Sequence, residues 1–121
     1  MLSLDVHRIG VVRRRDDGRS VLELLPAYAE GLDGLEPGRC VQVLFWMHEL
    51  SRADRRALHV HPRGDTSLMR LGVFSLRSPM RPNPIGVTEA NVLEVRGASV
   101  VVEGLDALDG SPIIDIKAAC R

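Results

Sequence analysis

The stretch VTEANVLEVRGASVVVE, residues 87–103, indicates the fold class because it has the pattern of two β-strands joined by a tight turn. Val87 to Val95 and Ser99 to Glu103 are rich in valine, and β-branched side chains suit the pleated surface of a sheet. The dipeptide Gly97-Ala98 between them supplies the turn. The stretch therefore predicts an antiparallel hairpin within a domain rich in β structure.

Other short apolar segments of strand length occur on both sides of this hairpin. They are Val6–Val12, Val21–Leu25, Val41–Met47, Leu71–Leu76 and Ile113–Lys117. The charged segment RRRDDGRS, residues 13–20, separates the first two and contains the Asp-Gly pair typical of a hairpin loop. The continuously apolar VQVLFWM, residues 41–47, is typical of a buried central strand. Seven short strands with turn residues between them predict a small antiparallel β-barrel or sandwich.

Few helices are expected. A proline can open a short helix at Pro26 to Glu30, and SRADRRAL, residues 51–58, is either one helical turn or a mobile loop. The length of 121 residues suits one domain over residues 1–121. The sequence thus predicts a single, mostly β domain.

The charge balance limits the classes of partner. Sixteen basic and sixteen acidic residues give a formal net charge of 0, which argues against binding to nucleic acid through bulk charge, and we expect no DNA partner. Lys117 is the only lysine among the basic residues. Arginine offers a planar fork for phosphate or carboxylate, although genome base composition explains such a bias equally well.

The chain is expected to lie in the cytoplasm, without a membrane segment. No apolar run approaches the roughly 20 residues that a membrane-spanning helix needs, and the start MLSLDVHRIG is too short and too polar for an export signal. Cys40 and Cys120 are expected to be reduced thiols in that compartment. A single disulfide between them remains an alternative.

The proline-rich segment SPMRPNPIGVT, residues 78–88, predicts a stiff extended loop. Proline fixes its own φ and drives the preceding residue towards extended geometry, and Arg81 and Asn83 both precede prolines. Rigid backbone lowers the entropy lost when side chains hold a ligand. Arg77, Arg81 and Asn83 are therefore candidate ligand-holding residues, and a plain connection between strands is the alternative.

A second unusual segment is LDALDGSPIIDIK, residues 105–117. Its turn is Asp109-Gly110-Ser111-Pro112. The Asp109 side chain can cap the local backbone, Gly110 suits positive φ, and Pro112 fixes the backbone where the chain leaves the turn. Such a turn can present backbone N–H and C=O groups to a ligand, although most Asp-Gly turns are purely structural.

The histidines do not indicate a metal site. His59 and His61 share one face of a strand, but no cysteine or acidic residue at a matched spacing completes a set of four ligands. His48, beside Glu49, follows the apolar strand VLFWM and would lie at the rim of a barrel. There it either binds a polar ligand or faces water.

These segments together resemble the TrmO (TsaA-like, YaeB) family of S-adenosylmethionine-dependent methyltransferases. GVFSLRSPMRPNPIGVT, residues 72–88, and LDALDGSPIIDIK, residues 105–117, meet the two long family motifs at nearly every position. IGVV, GLDGLE, VLFWMH and HPRGD extend the similarity over most of the chain.

The resemblance implies a TsaA-like antiparallel β-barrel that forms a homodimer and binds S-adenosylmethionine near the subunit contact. Residue by residue, it places the cofactor contacts on His48, Glu49, Arg77, Val87, Asp109, Gly110, Ser111 and Pro112. The family usually has glutamine where this chain has Glu49. Arg81 and Asn83, held by their prolines, would position the acceptor; the alternative is that Arg77 and Asn83 join the barrel or dimer together.

The substrate implied by the resemblance is tRNA, methylated on the exocyclic amine of the threonylcarbamoyladenosine next to the anticodon. Two features favour other interpretations, a small-molecule acceptor or a cofactor-binding module without catalysis. VVRRRDDGRS, residues 11–20, replaces the Ser-Pro and Pro-Arg-Gln segments of tRNA-modifying members, and the chain ends at Arg121 without their extension. The run Arg13-Arg14-Arg15 can partly supply the missing phosphate contacts. No residue is assigned as a general base.

Overall fold

The computed structural model describes residues 2–119, which contain eight β-strands and few short helices. The strands are β1 Gly10–Arg14, β2 Ser20–Leu24, β3 Cys40–Trp46, β4 His59–Val60, β5 Leu71–Gly72, β6 Ile85–Arg96, β7 Ser99–Glu103 and β8 Pro112–Ala118. Six of them form a closed antiparallel barrel in the order β1-β2-β7-β6-β3-β8, and β8 closes it by pairing with β1. β4 and β5 form a separate two-stranded sheet. The mostly β barrel predicted from the sequence is confirmed.

The core fills the barrel with aliphatic side chains from alternate positions of each strand. In β3, Val41, Val43 and Phe45 are buried, whereas the residues between them are only half-buried. The same alternation places Val12 and Leu22 in the interior. Because successive side chains of a strand point to opposite faces, this pattern fixes the register of every barrel strand.

Two tight connections form where the sequence predicts them. The β1–β2 turn contains Gly18 at φ 82°, and the Asp17 carboxylate accepts a hydrogen bond from the Arg19 N–H at 3.0 Å. The long β6–β7 hairpin turns at Gly97, whose φ is 58°. Positive φ is accessible to glycine without steric cost, so both turns close without strain.

Three predicted strand boundaries are wrong. Residues 6–9 precede β1 and lie outside any strand. The predicted strand Leu71–Leu76 stops after Gly72, because β5 pairs with only two residues of β4 and Val73–Ser75 then forms a 3-10 turn. β6 begins at Ile85, immediately after Pro84, so the rigid loop is shorter than the segment 78–88.

The helical segments are short. The predicted helix at Pro26 is a 3-10 helix, Pro26–Leu32. The segment 51–58 forms one turn of α-helix, α1 Arg52–Arg55, which a capping box between Ser51 and Asp54 stabilises at its start. Within residues 2–119 no helix has the length and apolar character needed to cross a membrane.

Candidate functional site

A cavity of about 1150 Å³ lies against β3 and β6. Its walls come from these two strands, the segment 47–50 that follows β3, the proline-rich loop, and the segment 106–111 that precedes β8. Residues far apart in the sequence thus meet here because β3 pairs with both β6 and β8.

Four of the residues predicted to contact the cofactor line this cavity. They are Glu49, Arg77, Val87 and Ser111. Arg77 and Val87 also contact each other directly, since Arg77 Nη2 donates a hydrogen bond to the Val87 carbonyl at 2.7 Å. That bond fixes the guanidinium against the edge of β6.

The turn residues 109–112 have structural contacts next to the cavity. The Asp109 carboxylate accepts the Arg14 N–H at 2.8 Å, and the Gly110 N–H donates to the Val12 carbonyl at 2.7 Å. Ser111 is buried, and its hydroxyl donates to the Leu108 carbonyl at 2.7 Å. The turn is therefore tied to β1 while Ser111 faces the cavity. Pro112 begins β8.

The proline-rich loop owes much of its shape to Arg81. Its Nε donates to the Ser78 carbonyl and its Nη2 to the carbonyls of Val73 and Leu76, each at 2.6 Å. Arg81 also lines the cavity. The side chain thus holds the loop together from within while remaining on the cavity wall. Asn83 is exposed and does not line the cavity.

A second arginine, Arg55, also forms a hydrogen bond with this loop. Arg55 of α1 lies over the Trp46 ring, with its guanidinium carbon 5.0 Å from the ring centroid. Its Nε donates to the Pro82 carbonyl at 3.1 Å. Because Glu49 and Leu50, just before α1, line the cavity, Arg55 links two of its walls.

The cavity combines charged groups of both signs with apolar surface. Its carboxylates are Glu49, Glu89 and Asp106, and its cations are Arg77 and Arg81. Neither arginine forms an ion pair within residues 2–119. The apolar lining is provided by Phe45, Met47, Leu50, Leu76, Ile85 and Leu108.

Sequence reasoning missed Glu89 and Asp106. Glu89 follows Val87 by two positions in β6, so the two side chains share one face, and this alternation was a usable signal. Asp106 had no such signal because it lies in the irregular segment between β7 and β8.

The predicted cofactor contact His48 stays apart from the cavity. His48 is exposed and does not line it. Within residues 2–119 no cluster of histidine, cysteine and acidic side chains is arranged for a metal ion. The Cys40 thiol lies 3.7 Å from the Glu89 carboxylate, and Cys120 falls outside the described residues.

Comparisons with known proteins identify the family. The family model described as the tRNA-methyltransferase O N-terminal domain matches residues 11–120. The chain belongs to the TrmO family. The prediction of a TrmO-like protein is therefore confirmed.

The similar proteins differ in length and in the ligand or activity that their names give. A crystal structure of TrmO from Pseudomonas aeruginosa superimposes with a TM-score of 0.74 at 29% identity, covering 98% of this chain and 57% of that one. A probable S-adenosyl-L-methionine-binding protein of Methanocaldococcus jannaschii is 42% identical over 110 residues, 90% of this chain and 86% of that protein. A mouse tRNA (adenine(37)-N6)-methyltransferase is 42% identical over 86 residues, 71% of this chain and 20% of that enzyme.

Proposed function

We propose that this chain is an S-adenosylmethionine-dependent methyltransferase that methylates the exocyclic amine of threonylcarbamoyladenosine next to the anticodon of tRNA. The observation that carries the proposal is the convergence of Glu49, Arg77, Val87 and Ser111 on one cavity. These residues come from four separate segments, and the TrmO resemblance assigned all of them to the cofactor.

The chemistry of the cavity suits S-adenosylmethionine. Its apolar side chains, such as Leu50 and Leu108, offer a surface for the adenine ring. Arg77 and Arg81 provide guanidinium groups for the methionine carboxylate. The carboxylates of Glu49, Glu89 and Asp106 complement the ammonium and sulfonium charges or accept hydrogen bonds from ribose hydroxyls.

The volume of the cavity supports a second reactant in the same site. A pocket for one small ligand spans roughly 300–1000 Å³, and this cavity is about 1150 Å³. An acceptor base can therefore enter beside the cofactor and be held in line with it. Such alignment is the main requirement of methyl transfer.

When bound, S-adenosylmethionine would supply an electrophilic methyl group: the acceptor nitrogen would bond to the methyl carbon while the C–S bond breaks in line, and the sulfur would leave as the neutral thioether of S-adenosylhomocysteine. The protein must then accept the proton that the nitrogen loses. Glu49, Glu89 and Asp106 are the carboxylates of the cavity, so the general base is sought among them. Arg81 and the loop that it holds shape the wall against which the acceptor rests.

A homodimer is part of the proposal. Phe74 and Met69 are each 81% exposed, and Leu58, Leu71 and Met80 are further exposed apolar residues between positions 58 and 80. Leu76 and Arg77 of the cavity wall follow Phe74 closely in the chain. A second copy of the chain would cover the apolar side chains and enclose the cavity on that side.

The test is methyl transfer from labelled S-adenosylmethionine to total tRNA of a strain that lacks the gene, with mass analysis of the nucleosides. Label on threonylcarbamoyladenosine supports the proposal. Label in a small-molecule fraction would assign a different acceptor. Cofactor binding without transfer to either would leave a binding module and overturn the enzymatic proposal.

A further inference from the structure

Arg14, at the end of β1, contacts one wall of the candidate site through three hydrogen bonds. Its Nη1 donates to the carbonyls of Leu105 and Ala107 at 3.1 Å and 3.2 Å. Its backbone N–H donates to the Asp109 carboxylate at 2.8 Å. One residue of the barrel thus holds the segment 105–109 at three points.

The two carbonyls that Arg14 binds belong to residues whose side chains point away from solvent. Leu105 and Ala107 are 5% and 6% exposed and belong to the core, although Ala107 also borders the cavity; Asp106 and Leu108 are exposed and line it. Fixing the carbonyls on either side of Asp106 fixes the orientation of that residue. Arg14 therefore holds the backbone on both sides of Asp106, one of the side chains that line the cavity.

The two neighbouring arginines have a different environment. Arg13 forms an exposed ion pair with Glu23 at 3.6 Å, and Arg15 forms one with Asp17 at 3.1 Å. Exposed pairs of this kind contribute little to stability. The side-chain bonds of Arg14 are partly buried and go to neutral carbonyls, where a charged donor forms comparatively strong hydrogen bonds.

We propose that Arg14 is a positioning residue for the cofactor site, acting through Asp106 and Leu108 on the cavity wall. The proposal rests on the proposed function, because it takes the cavity to be the site of S-adenosylmethionine. It assigns to Arg14 a structural task within the enzyme rather than the RNA contact considered for the run Arg13-Arg14-Arg15.

The test compares Arg14→Ala, Arg14→Lys and the matched control Arg13→Ala in the full chain, without RNA. Isothermal titration with S-adenosylmethionine should give binding about tenfold weaker for Arg14→Ala and unchanged within about twofold for Arg13→Ala. Arg14→Lys should fall between them, because an ammonium group cannot reproduce the fork that spans two carbonyls.

Hydrogen exchange distinguishes local positioning from general loss of stability. The Gly110 and Ser111 amides donate to the carbonyls of Val12 and Leu108, so they report on this wall. In Arg14→Ala their exchange should accelerate while Val100 and Val102 of β7 keep their protection. Unchanged exchange at Gly110 and Ser111 would overturn the proposal, and so would equal acceleration in β7. If the unmodified chain does not bind S-adenosylmethionine, the proposed function fails, whereas exchange still tests the role of Arg14.

Discussion

At the scale of single residues, Gly110 shows how one backbone conformation supports the candidate site. Its φ is 83°, in the left-handed region that β-branched residues avoid, and its N–H holds the turn 109–112 to β1. An added Cβ would meet no atom within 4 Å. The free-energy cost of adding a Cβ at this position therefore comes from the backbone conformation alone.

Gly110→Val should abolish S-adenosylmethionine binding while the β signal in circular dichroism remains. The strain of a valine at this φ is about 1–3 kcal/mol. Relief of the strain would move the turn, and with it Ser111, out of its place on the cavity wall. Gly110→Asn is the matched control, because asparagine tolerates positive φ, and it should retain binding. Loss of folding together with binding in Gly110→Val would instead assign the turn a purely structural role.

At the scale of elements, α1 and the proline-rich loop depend on each other through Arg55. This side chain stacks on Trp46 and donates to the Pro82 carbonyl, and the two contacts join α1 to the end of β3 and to the proline-rich loop, whose neighbouring residues line the cavity. A cation over an indole ring is worth roughly 0.5–1 kcal/mol when exposed. The contact is modest in energy but fixes the relative position of two walls.

Arg55→Ala should change the emission of Trp46, the single tryptophan of the chain, and weaken S-adenosylmethionine binding severalfold. Arg52→Ala on the same exposed turn is the control and should change neither. Fluorescence spectra and titration calorimetry provide the two measurements. Unchanged binding in Arg55→Ala, despite altered emission, would show that the loop keeps its position without this contact.

The β1–β2 hairpin is the element for which we predict a contact with RNA. Arg13 and Arg15 form exposed ion pairs whose small energy leaves both guanidinium groups able to exchange an acidic side chain for a phosphate. The double variant Arg13→Ala, Arg15→Ala should therefore bind tRNA more weakly. It should also flatten the dependence of log K on log salt by roughly 0.7–0.9 for each phosphate that the variant no longer neutralises.

This RNA prediction is checked by filter binding of tRNA between low and physiological salt, with S-adenosylmethionine affinity measured in parallel. Cofactor affinity should stay unchanged, since neither arginine lines the cavity. An unaltered salt slope would remove the hairpin from the RNA surface. Arg14 is kept intact in this experiment because it holds the segment 105–109.

At the scale of the whole molecule, the exposed apolar surface around Phe74 predicts association. A single 121-residue barrel buries only about two-thirds of its unfolded surface, and Phe74 and Met69 are each 81% exposed, as expected of residues that a second subunit covers. Sedimentation equilibrium at micromolar concentration should give a homodimer. Only monomer, with and without cofactor, would contradict this.

Phe74→Asp should shift the chain towards monomer, because a dimer would bury the new carboxylate without a partner. Leu2→Asp is the matched control, since Leu2 is 95% exposed and lies far from the residues 58–80 in sequence. It should leave the sedimentation profile unchanged. A dimer that tolerates Phe74→Asp would place the interface elsewhere.

The sequence by itself determined the barrel class and the family. The abundance of valine in β6 and β7 specifies a hairpin locally, and glycine at Gly97 specifies its turn, because both signals arise from the preferences of neighbouring residues. The resemblance, through the motifs 72–88 and 105–117 and the match VLFWMH, assigned eight residues to the cofactor, of which Glu49, Arg77, Val87 and Ser111 line one cavity.

The tertiary structure alone decided which residues face that cavity together. The pairing of β3 with β6 and β8 brings Glu89 and Asp106 towards Arg77 and Arg81, a proximity that depends on long-range strand order. The tertiary structure also determined that β5 ends at Gly72, because only two residues of β4 pair with it. The role of Arg14 was likewise decided by the tertiary structure. Its neighbours in the sequence are also arginines, and its hydrogen bonds to the carbonyls of Leu105 and Ala107 distinguish it from them.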